Sequence, residues 1–159
     1  MNVIYIAIVV VAGYLLGSLS ISILLSKNLL GRDVRRHGSG NAGATNMARV
    51  FGMHAGLLTL AGDMLKAAAA MLLGFWLLGD TGMALGGVAC LLGHCFPALH
   101  GFKGGKGVSS GAMVALMIDW RVFLCVVGVF LVGAFLTKKV SFGSICGALT
   151  IFISAAALG

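Results

Sequence analysis

The residues best suited to chemistry lie in one polar stretch, from Arg35 to Arg49, of a chain that is otherwise 60% hydrophobic. Gly38, Gly40 and Gly43 allow the backbone to turn so that successive N–H groups converge, which is how main chain forms an anion-binding nest. Side-chain donors and positive charge accompany these glycines: Ser39, Asn41, Thr45, Asn46, Arg35, Arg36 and Arg49. The combination predicts a phosphate site. A flexible polar linker, which is also rich in glycine and serine, is the alternative interpretation.

A second glycine-rich stretch, residues 100–107, contains Lys103 and Lys106 among four glycines. Mobile cations beside accessible backbone suit a second anion, and Gly104 and Gly105 are the predicted backbone contacts. The alternative is a membrane-surface loop whose lysines contact lipid headgroups. Neither stretch is a nucleotide-binding loop. The spacing Gly-x4-Gly-Lys-Ser/Thr is absent, and no strand precedes the Gly-x-Gly-x-x-Gly match in the first stretch.

Four further residues are predicted to have structural roles. Asp63 and Lys66 lie in an apolar segment at a spacing of i, i+3, which favours an ion pair on one helix face. Pro97 should end the helix before the second loop, and we expect His94 to hydrogen-bond the backbone groups freed there. The four histidines have neither the His-x4-Asp spacing of many soluble acyltransferases nor the spacing of metal ligands.

Composition places the chain in a membrane. A mean hydropathy of +1.08 with 9% charged residues excludes an ordinary soluble globule and indicates a polytopic membrane protein. The net charge of +7 is first a topology signal, and no basic stripe interleaved with aromatic residues indicates nucleic acid. The four cysteines, without paired CxxC spacing, indicate neither disulfides nor a metal site. We therefore expect an all-α membrane helix bundle, one integral-membrane domain over residues 1–159, with no metal or cofactor.

Six apolar segments are predicted, and the polar connections between them set the topology. The segments are Val3–Leu25, Ala55–Leu78, Met83–Leu99, Val108–Ile118 (short for a span), Val122–Leu136 and Phe142–Leu158. A turn at Asp80 joins the second to the third. The loops at 26–50, 100–107 and 137–139 then share one face and contain nine of the eleven basic residues. The positive-inside rule places them in the cytoplasm and the N-terminus outside, so both glycine-rich stretches fall on one face.

Small residues repeat at helical spacing in these segments. Gly13-x-x-x-Gly17 and Gly82-x-x-x-Gly86 each place two glycines on one helix face. Close packing of helices in lipid requires such faces, because backbones can approach only where side chains are small. These glycines are predicted to pack helices together.

Three blocks of the sequence resemble the integral-membrane acyl-phosphate:glycerol-3-phosphate acyltransferases of bacteria. They are Asp33-x-Arg35-x-x-Gly-Ser-Gly-Asn-Ala-Gly-Ala-Thr-Asn-x-x-Arg49, Gly93-His94-x-x-Pro97 with Phe102-Lys-Gly-Gly-Lys-Gly107, and Val140-Ser141-x-x-Ser144. Asp63-x-x-Lys66 also fits, so the resemblance spans nearly the whole chain. It implies transfer of a fatty acyl group from acyl phosphate to the 1-hydroxyl of glycerol 3-phosphate, giving lysophosphatidic acid for phospholipid synthesis in the bacterial inner membrane. Family members usually continue through a seventh membrane helix, so we expect this chain to be C-terminally incomplete.

The resemblance and the loop chemistry together predict the site. The expected catalytic residues are Ser39, Asn41, Arg49 and Lys106. The expected substrate-binding residues are Gly38, Gly40, Gly43, Thr45, Asn46, Lys103, Gly104, Gly105 and Ser144. Acyl phosphate is expected in the nest formed by residues 38–46, and its own phosphoryl oxygen can accept the hydroxyl proton without a basic side chain. A transporter for a phosphorylated solute is the alternative, and it requires a site near the bilayer midplane.

Overall fold

The protein is helical wherever its secondary structure is regular. The computed structural model describes residues 2–158, apart from the side chains of residues 152, 155, 156 and 158. The described residues contain no strand, which confirms the all-α prediction. The helices are α1 (Val3–Ser18), α2 (Ile21–Leu24), α3 (Ala44–Phe51), α4 (Met53–Cys95), α5 (Val108–Ile118), α6 (Trp120–Thr137) and α7 (Val140–Leu158). A π turn over Leu25–Leu29 and 3-10 turns over Val34–Arg36 and Ala98–His100 complete the regular structure.

The first apolar segment is interrupted, although the sequence predicts one helix over Val3–Leu25. Helix α1 starts at the side-chain cap of Asn2 and ends at Ser18, and the next two residues are extended. The chain then resumes in α2 and the π turn. The break leaves the Gly17 and Leu19 carbonyl oxygens without helical partners, and both accept hydrogen bonds from Lys66 Nζ, at 3.0 and 2.9 Å. A polar group 47 residues away therefore stabilises the interruption.

Helix α4 is a hairpin of two helical arms, residues 53–78 and 80–95. The reversal occurs at Gly79, whose φ of 63° and ψ of −148° suit glycine. The two arms approach closely at Gly74 and Gly82, where a Cβ on either glycine would meet the backbone of the other. The predicted second and third segments are thus confirmed, with the turn one residue before Asp80.

Helix α1 packs against the second arm of α4 and runs in the same direction. Gly13 lies against Gly86, and Gly17 against the carbonyl of Cys90. A Cβ at Gly13 would lie 3.0 Å from Gly86 O, and one at Gly17 would collide with the Cys90 backbone. The predicted packing role of these glycines is confirmed. As a result, the C-terminal end of α1 and the end of α4 at Cys95 lie at the same end of this unit.

The predicted polar loop from Ser26 to Val50 is more structured than its composition suggests. It contains the 3-10 turn and the eight-residue helix α3. Gly52, at φ 90°, turns the chain from α3 into α4. Helix α3 folds back on the first turns of α4, where a Cβ at Gly56 would lie only 2.6 Å from Ala48 Cβ. The interpretation of this stretch as loop throughout is therefore wrong, because an amphipathic helix covers its second part.

The chain divides into two compact units, Met1–Ser110 and Gly111–Gly159. In the second unit α6 and α7 pack together where Gly143 approaches the Phe130 carbonyl, over a small core of Ala115, Val122 and Val126. Helix α5 has the bounds that the sequence predicts, whereas α6 and α7 each begin two residues earlier than expected. Among the described residues, three stretches are long and apolar enough to cross a membrane: Val3–Leu29, Met53–His100 with its reversal, and Trp120–Thr137.

Candidate functional site

The first glycine-rich loop is shaped by one buried side chain, that of Asn46. Asn46 is 1% exposed, and its Oδ1 accepts the Ser39 N–H at 2.9 Å. Its Nδ2 donates to three carbonyl oxygens, at 3.0 to 3.2 Å, those of Val34, His37 and Asn41. The loop therefore closes around an amide that has no group left for a ligand. The prediction that Asn46 contacts phosphate is wrong, because its four hydrogen bonds all lie within the loop.

Two glycines give this loop its curvature. Gly38 has φ 59° and Gly40 has φ 72°, conformations that residues with a Cβ rarely adopt. A Cβ at Gly38 would also collide with Asn46 Oδ1. The third glycine, Gly43, is extended and precedes α3 without a side-chain cap. The N–H groups of the first turn of α3 consequently have no side-chain partner, which is the arrangement that favours an anion at a helix start.

Arg35 joins the first loop to the second. Its guanidinium donates to both Asp33 carboxylate oxygens, with Nε at 3.1 Å and Nη2 at 2.8 Å. Its Nη1 donates to the His100 carbonyl at 2.9 Å. These side-chain hydrogen bonds hold the pKa of the Asp33 carboxyl well below its usual range, with the Arg35 N–H and nearby Lys27 acting in the same direction. Arg35 is thus a brace between loops, and its charge is largely balanced by Asp33.

The second loop folds onto the end of α4. Pro97 is buried just beyond the last residue of α4, as the sequence predicts. The Gly104 and Gly105 N–H groups donate to the carbonyls of Cys95 and His94, at 3.2 and 3.1 Å. The predicted anion contact through these two N–H groups is therefore wrong, since both satisfy carbonyls freed where the helix ends.

The second loop needs glycine because its backbone packs directly against His94 and against the first loop. A Cβ at Gly105 would lie 2.7 Å from the Ala42 carbonyl oxygen of the first loop and would collide with His94 Nε2. At Gly104 it would collide with the His94 carbonyl. Together with the Arg35 contact, this shows that the two glycine-rich loops adjoin at one end of the first unit, as predicted.

Polar groups remain accessible around this junction. Ser39, Thr45, Arg49, Lys103 and Lys106 are exposed. Asn41 is half-buried, and its Nδ2 lies beside Gly43. None of the side-chain hydrogen bonds formed among the described residues uses the Asn41 carboxamide, in contrast to Asn46. The junction therefore combines hydroxyl, amide and cationic donors with the start of α3, and such a set can bind one or more phosphoryl groups.

A buried polar cluster lies beneath the junction. Lys66 Nζ is 2.9 Å from Asp63 Oδ1, so the predicted i, i+3 ion pair is present. Lys66 Nζ is also 3.0 Å from His94 Nδ1. The side chains of all three residues are at most 5% exposed. The expectation that the His94 side chain caps the helix end is wrong: Nδ1 faces Lys66, and the N–H groups of the second loop perform the capping.

Ser144 belongs to the second unit. Its Oγ donates to the Val140 carbonyl oxygen at 2.8 Å, within the first turn of α7. Its predicted contact with substrate stays a prediction.

Sequence reasoning missed two of the roles found here. The inward orientation of Asn46 is indicated only by the amphipathic pattern of the short helix α3, in which Met47 is buried beside it. The link from Lys66 to the α1 break and to His94 has no signal in the sequence, since its partners are 28 to 49 residues away. Contacts of that separation become visible only when the helices are packed.

The fold defines a helical membrane protein, and the junction is a candidate anion-binding site at one end of its first unit. A family model described as glycerol-3-phosphate acyltransferase matches residues 7–158. The chain belongs to this family, and it is a multi-pass membrane acyltransferase. It is 39% identical to the glycerol-3-phosphate acyltransferase of Finegoldia magna and 42% identical to that of Bacillus subtilis. These alignments cover 96% and 87% of this chain, and 77% and 72% of the relatives.

Two solved structures have the same fold. They are crystal structures of PlsY (YgiH), an integral membrane glycerol 3-phosphate acyltransferase, in a glycerol 3-phosphate form and a lysophosphatidic acid form. The TM-scores are 0.89 and 0.84, with 34% identity in both cases. Each comparison covers 97% of this chain, and the first covers 78% of the solved chain. Family membership favours the acyltransferase interpretation over the transporter alternative.

Proposed function

We propose that this protein transfers a fatty acyl group from acyl phosphate to the 1-hydroxyl of glycerol 3-phosphate, giving lysophosphatidic acid and phosphate. One observation carries the proposal: the two glycine-rich loops adjoin, through Arg35 and the His100 carbonyl and through Gly105 and Ala42. Both substrates bear a phosphoryl group, and a junction of two cationic loops can hold two such groups side by side. The relatives solved with glycerol 3-phosphate and lysophosphatidic acid support the same acceptor and product.

The reaction requires one bond to form and one to break. The 1-hydroxyl oxygen attacks the acyl carbonyl carbon, the bond from that carbon to the bridging phosphate oxygen breaks, and phosphate leaves. The hydroxyl proton passes to a phosphoryl oxygen of the donor, so no side chain has to act as a base. Negative charge grows on the leaving phosphate, and donors that are already oriented stabilise it without reorganising.

Residues of the first loop are assigned to the donor. Asn41 and Ser39 donate to phosphoryl oxygens, Thr45 adds a hydroxyl at the start of α3, and Gly38 and Gly40 keep the loop curved around the anion. In this assignment Asn46 holds the loop and does not touch the substrate. An acyl chain leaving this rim can enter the surrounding lipid directly, because the outer surfaces of α1 and α4 expose large apolar side chains.

The acceptor is assigned to the cationic side of the junction. Arg49, Lys103 and Lys106 bind the phosphate of glycerol 3-phosphate through charge-assisted hydrogen bonds. Ser144 is included on the basis of its sequence block.

The proposed location is the bacterial inner membrane, with the N-terminus outside and the site in the cytoplasm. Nine of the eleven basic residues lie in the three connections that the sequence predicts to share one face. The parallel course of α1 and the second arm of α4 agrees with this topology, since both then run toward the junction. This orientation gives the enzyme direct access to soluble glycerol 3-phosphate made in the cytoplasm.

The test compares Asn41→Ala with Asn28→Ala in purified protein reconstituted into lipid vesicles. Asn28 is exposed in the π turn and provides the same substitution outside both glycine-rich stretches, residues 35–49 and 100–107. Loss of one donor to the developing charge should lower the transfer rate from acyl phosphate by about 10² to 10³, while Asn28→Ala keeps the parent rate. Acyl-CoA and acyl-carrier-protein donors should give no product with any variant. Full activity of Asn41→Ala refutes the first-loop assignment, and transfer from a thioester refutes the proposed donor.

A further inference from the structure

The buried cluster of Asp63, Lys66 and His94 connects three parts of the first unit. Lys66 Nζ contacts the α1 break through the Gly17 and Leu19 carbonyls, at 3.0 and 2.9 Å. It contacts Asp63 Oδ1 at 2.9 Å on its own helical arm, and His94 Nδ1 at 3.0 Å on the other arm. The cluster thus has one cation at its centre and four possible acceptors around it.

The ammonium group determines which nitrogen of His94 carries hydrogen. Lys66 has three N–H donors and no acceptor, so any nitrogen that bonds to it must offer a lone pair. His94 Nδ1, at 3.0 Å, is therefore the unprotonated nitrogen of a neutral ring. The Asp63 carboxylate also lies near Nδ1, but at 3.5 Å it is the more distant of the two partners. In a neutral imidazole the hydrogen is then on Nε2, so the ring is a donor at its other edge.

That donor edge lies at the junction of the two loops. His94 Nε2 lies so close to Gly105 that a Cβ on Gly105 would collide with it. The Ala42 carbonyl oxygen of the first loop also lies close to Gly105, 2.7 Å from the same Cβ position. His94 is otherwise buried, with 4% of its surface exposed. An Nε2–H group here is a hydrogen-bond donor located where the first loop meets the second.

We infer that Lys66 is a positioning residue of the acyl transfer: it fixes His94 as the Nε2–H tautomer and so supplies a hydrogen-bond donor to the junction of the two loops. The inference rests on the proposed function for its catalytic consequence, but the tautomer is a property of the resting protein. A lysine that only braced the α1 break would leave the state of the His94 ring unspecified. The two roles therefore differ in what they require of the ring.

Removal of Lys66 leaves Asp63 as the remaining polar partner of His94 Nδ1. A carboxylate accepts hydrogen bonds and cannot donate them, so Nδ1 must take the ring hydrogen to pair with it. In Lys66→Met the tautomer should thus reverse, and Nε2 should become an acceptor. Adding Asp63→Asn supplies an amide donor in place of the carboxylate. The double variant, which carries no buried charge at these positions, should return the hydrogen to Nε2.

The experiment is ¹⁵N NMR of protein labelled at histidine, with the His94 signals identified by their loss in His94→Gln. The parent protein and Lys66→Met/Asp63→Asn should show a protonated Nε2 and an unprotonated Nδ1, and Lys66→Met should show the opposite. In the acyl phosphate assay Lys66→Met should lose about tenfold in kcat with KM for glycerol 3-phosphate unchanged, as for one lost hydrogen-bond donor. The double variant should recover most of that loss.

The outcomes separate this inference from the proposed function. A protonated Nδ1 in the parent protein overturns the tautomer assignment, even if Lys66→Met does not fold. A reversed tautomer with unchanged kcat, or a double variant that restores the tautomer but not the rate, overturns the positioning role. Absence of transfer in the parent with acyl phosphate refutes the proposed function and with it the catalytic consequence, while the spectrum still decides the tautomer.

Discussion

Asn46→Ala should open the first loop without removing any of the groups proposed to bind the ligand. The substitution removes an amide that accepts the Ser39 N–H and donates to the carbonyls of Val34, His37 and Asn41. Because Asn46 is 1% exposed, water has little access to the side of these groups that faces the amide while the loop stays closed. Opening of the loop lets all four groups regain hydrogen bonds to water. The loop, and not the packed helices, is therefore the part of the molecule that the substitution destabilises.

The magnitude follows from the number of hydrogen bonds. The Asn46 amide has two N–H hydrogens, shared among three carbonyls, and one oxygen that accepts, so its contacts amount to about three full hydrogen bonds. At about 1 kcal/mol each they give about 3 kcal/mol of lost stability for the closed loop. At about 1.4 kcal/mol per factor of ten, this raises the equilibrium constant for opening by about 10². Local opening of this kind exposes backbone N–H groups to exchange without global unfolding. The Ser39 N–H, which bonds directly to Asn46, is the most sensitive reporter.

Hydrogen–deuterium exchange of the segment from 35 to 46 measures this opening in protein held in lipid vesicles. Exchange at Ser39 should accelerate by about 10² in Asn46→Ala, and it should stay at the parent rate in the matched control Asn28→Ala. Asn41→Ala should also leave exchange unchanged, although it is expected to lower the transfer rate by about 10² to 10³. If Ser39 exchanges at the parent rate in Asn46→Ala, the amide does not hold the loop closed and this reasoning is refuted.

Two further predictions concern the brace between the loops and the packing of α1. The depressed pKa of Asp33 contributes stability that is fully present above the ordinary carboxyl pKa of about 3.9 and is lost as pH falls toward the lower folded-state value. Arg35→Gln should therefore speed exchange of the second loop by a constant factor from pH 7 to about pH 5. The difference from the parent should shrink below about pH 4 to the part that the hydrogen bond to the His100 carbonyl contributes. A difference that does not shrink there contradicts the ion-pair account. Gly17→Ala should lower the thermal midpoint in detergent by the effect of about 1 to 3 kcal/mol of overpacking against Cys90, whereas Gly128→Ala, with open space around its Cβ position, should leave it unchanged or slightly raised.

The apolar segments and their order could be predicted from sequence because lipid imposes a simple requirement of length and hydropathy. The reversal at Gly79 was placed within one residue, since Asp80 marks the only charge between two apolar runs. The end of α1 at Ser18 could not be predicted, because the residues after it are as apolar as those before it. That break depends on Lys66, which is distant in sequence.

The candidate site was predicted in its composition but not in the orientation of its members. Asn41 and Asn46 are the same residue type in the same loop. The Asn41 side chain is half-buried, whereas the Asn46 side chain is buried and hydrogen-bonded to backbone groups. Gly104 and Gly105 were expected to present N–H groups to an anion, but they are needed for close approach to His94. Residue type and spacing specify which groups are available to a loop, whereas the direction in which each points is decided by three-dimensional packing.

Both glycine-rich loops are attached to the same helical hairpin, one before residue 53 and the other after residue 95. The distance between the loops therefore depends on the spacing of the two arms. That spacing is fixed near Gly79, where Gly74 and Gly82 are in close contact. The second arm places this reversal about 24 Å from the junction, at the other end of the hairpin. Insertion of a single residue beside Gly79 would rotate one arm by about 100° and carry its loop out of alignment. The geometry of the candidate site is therefore governed in part from the far end of the hairpin.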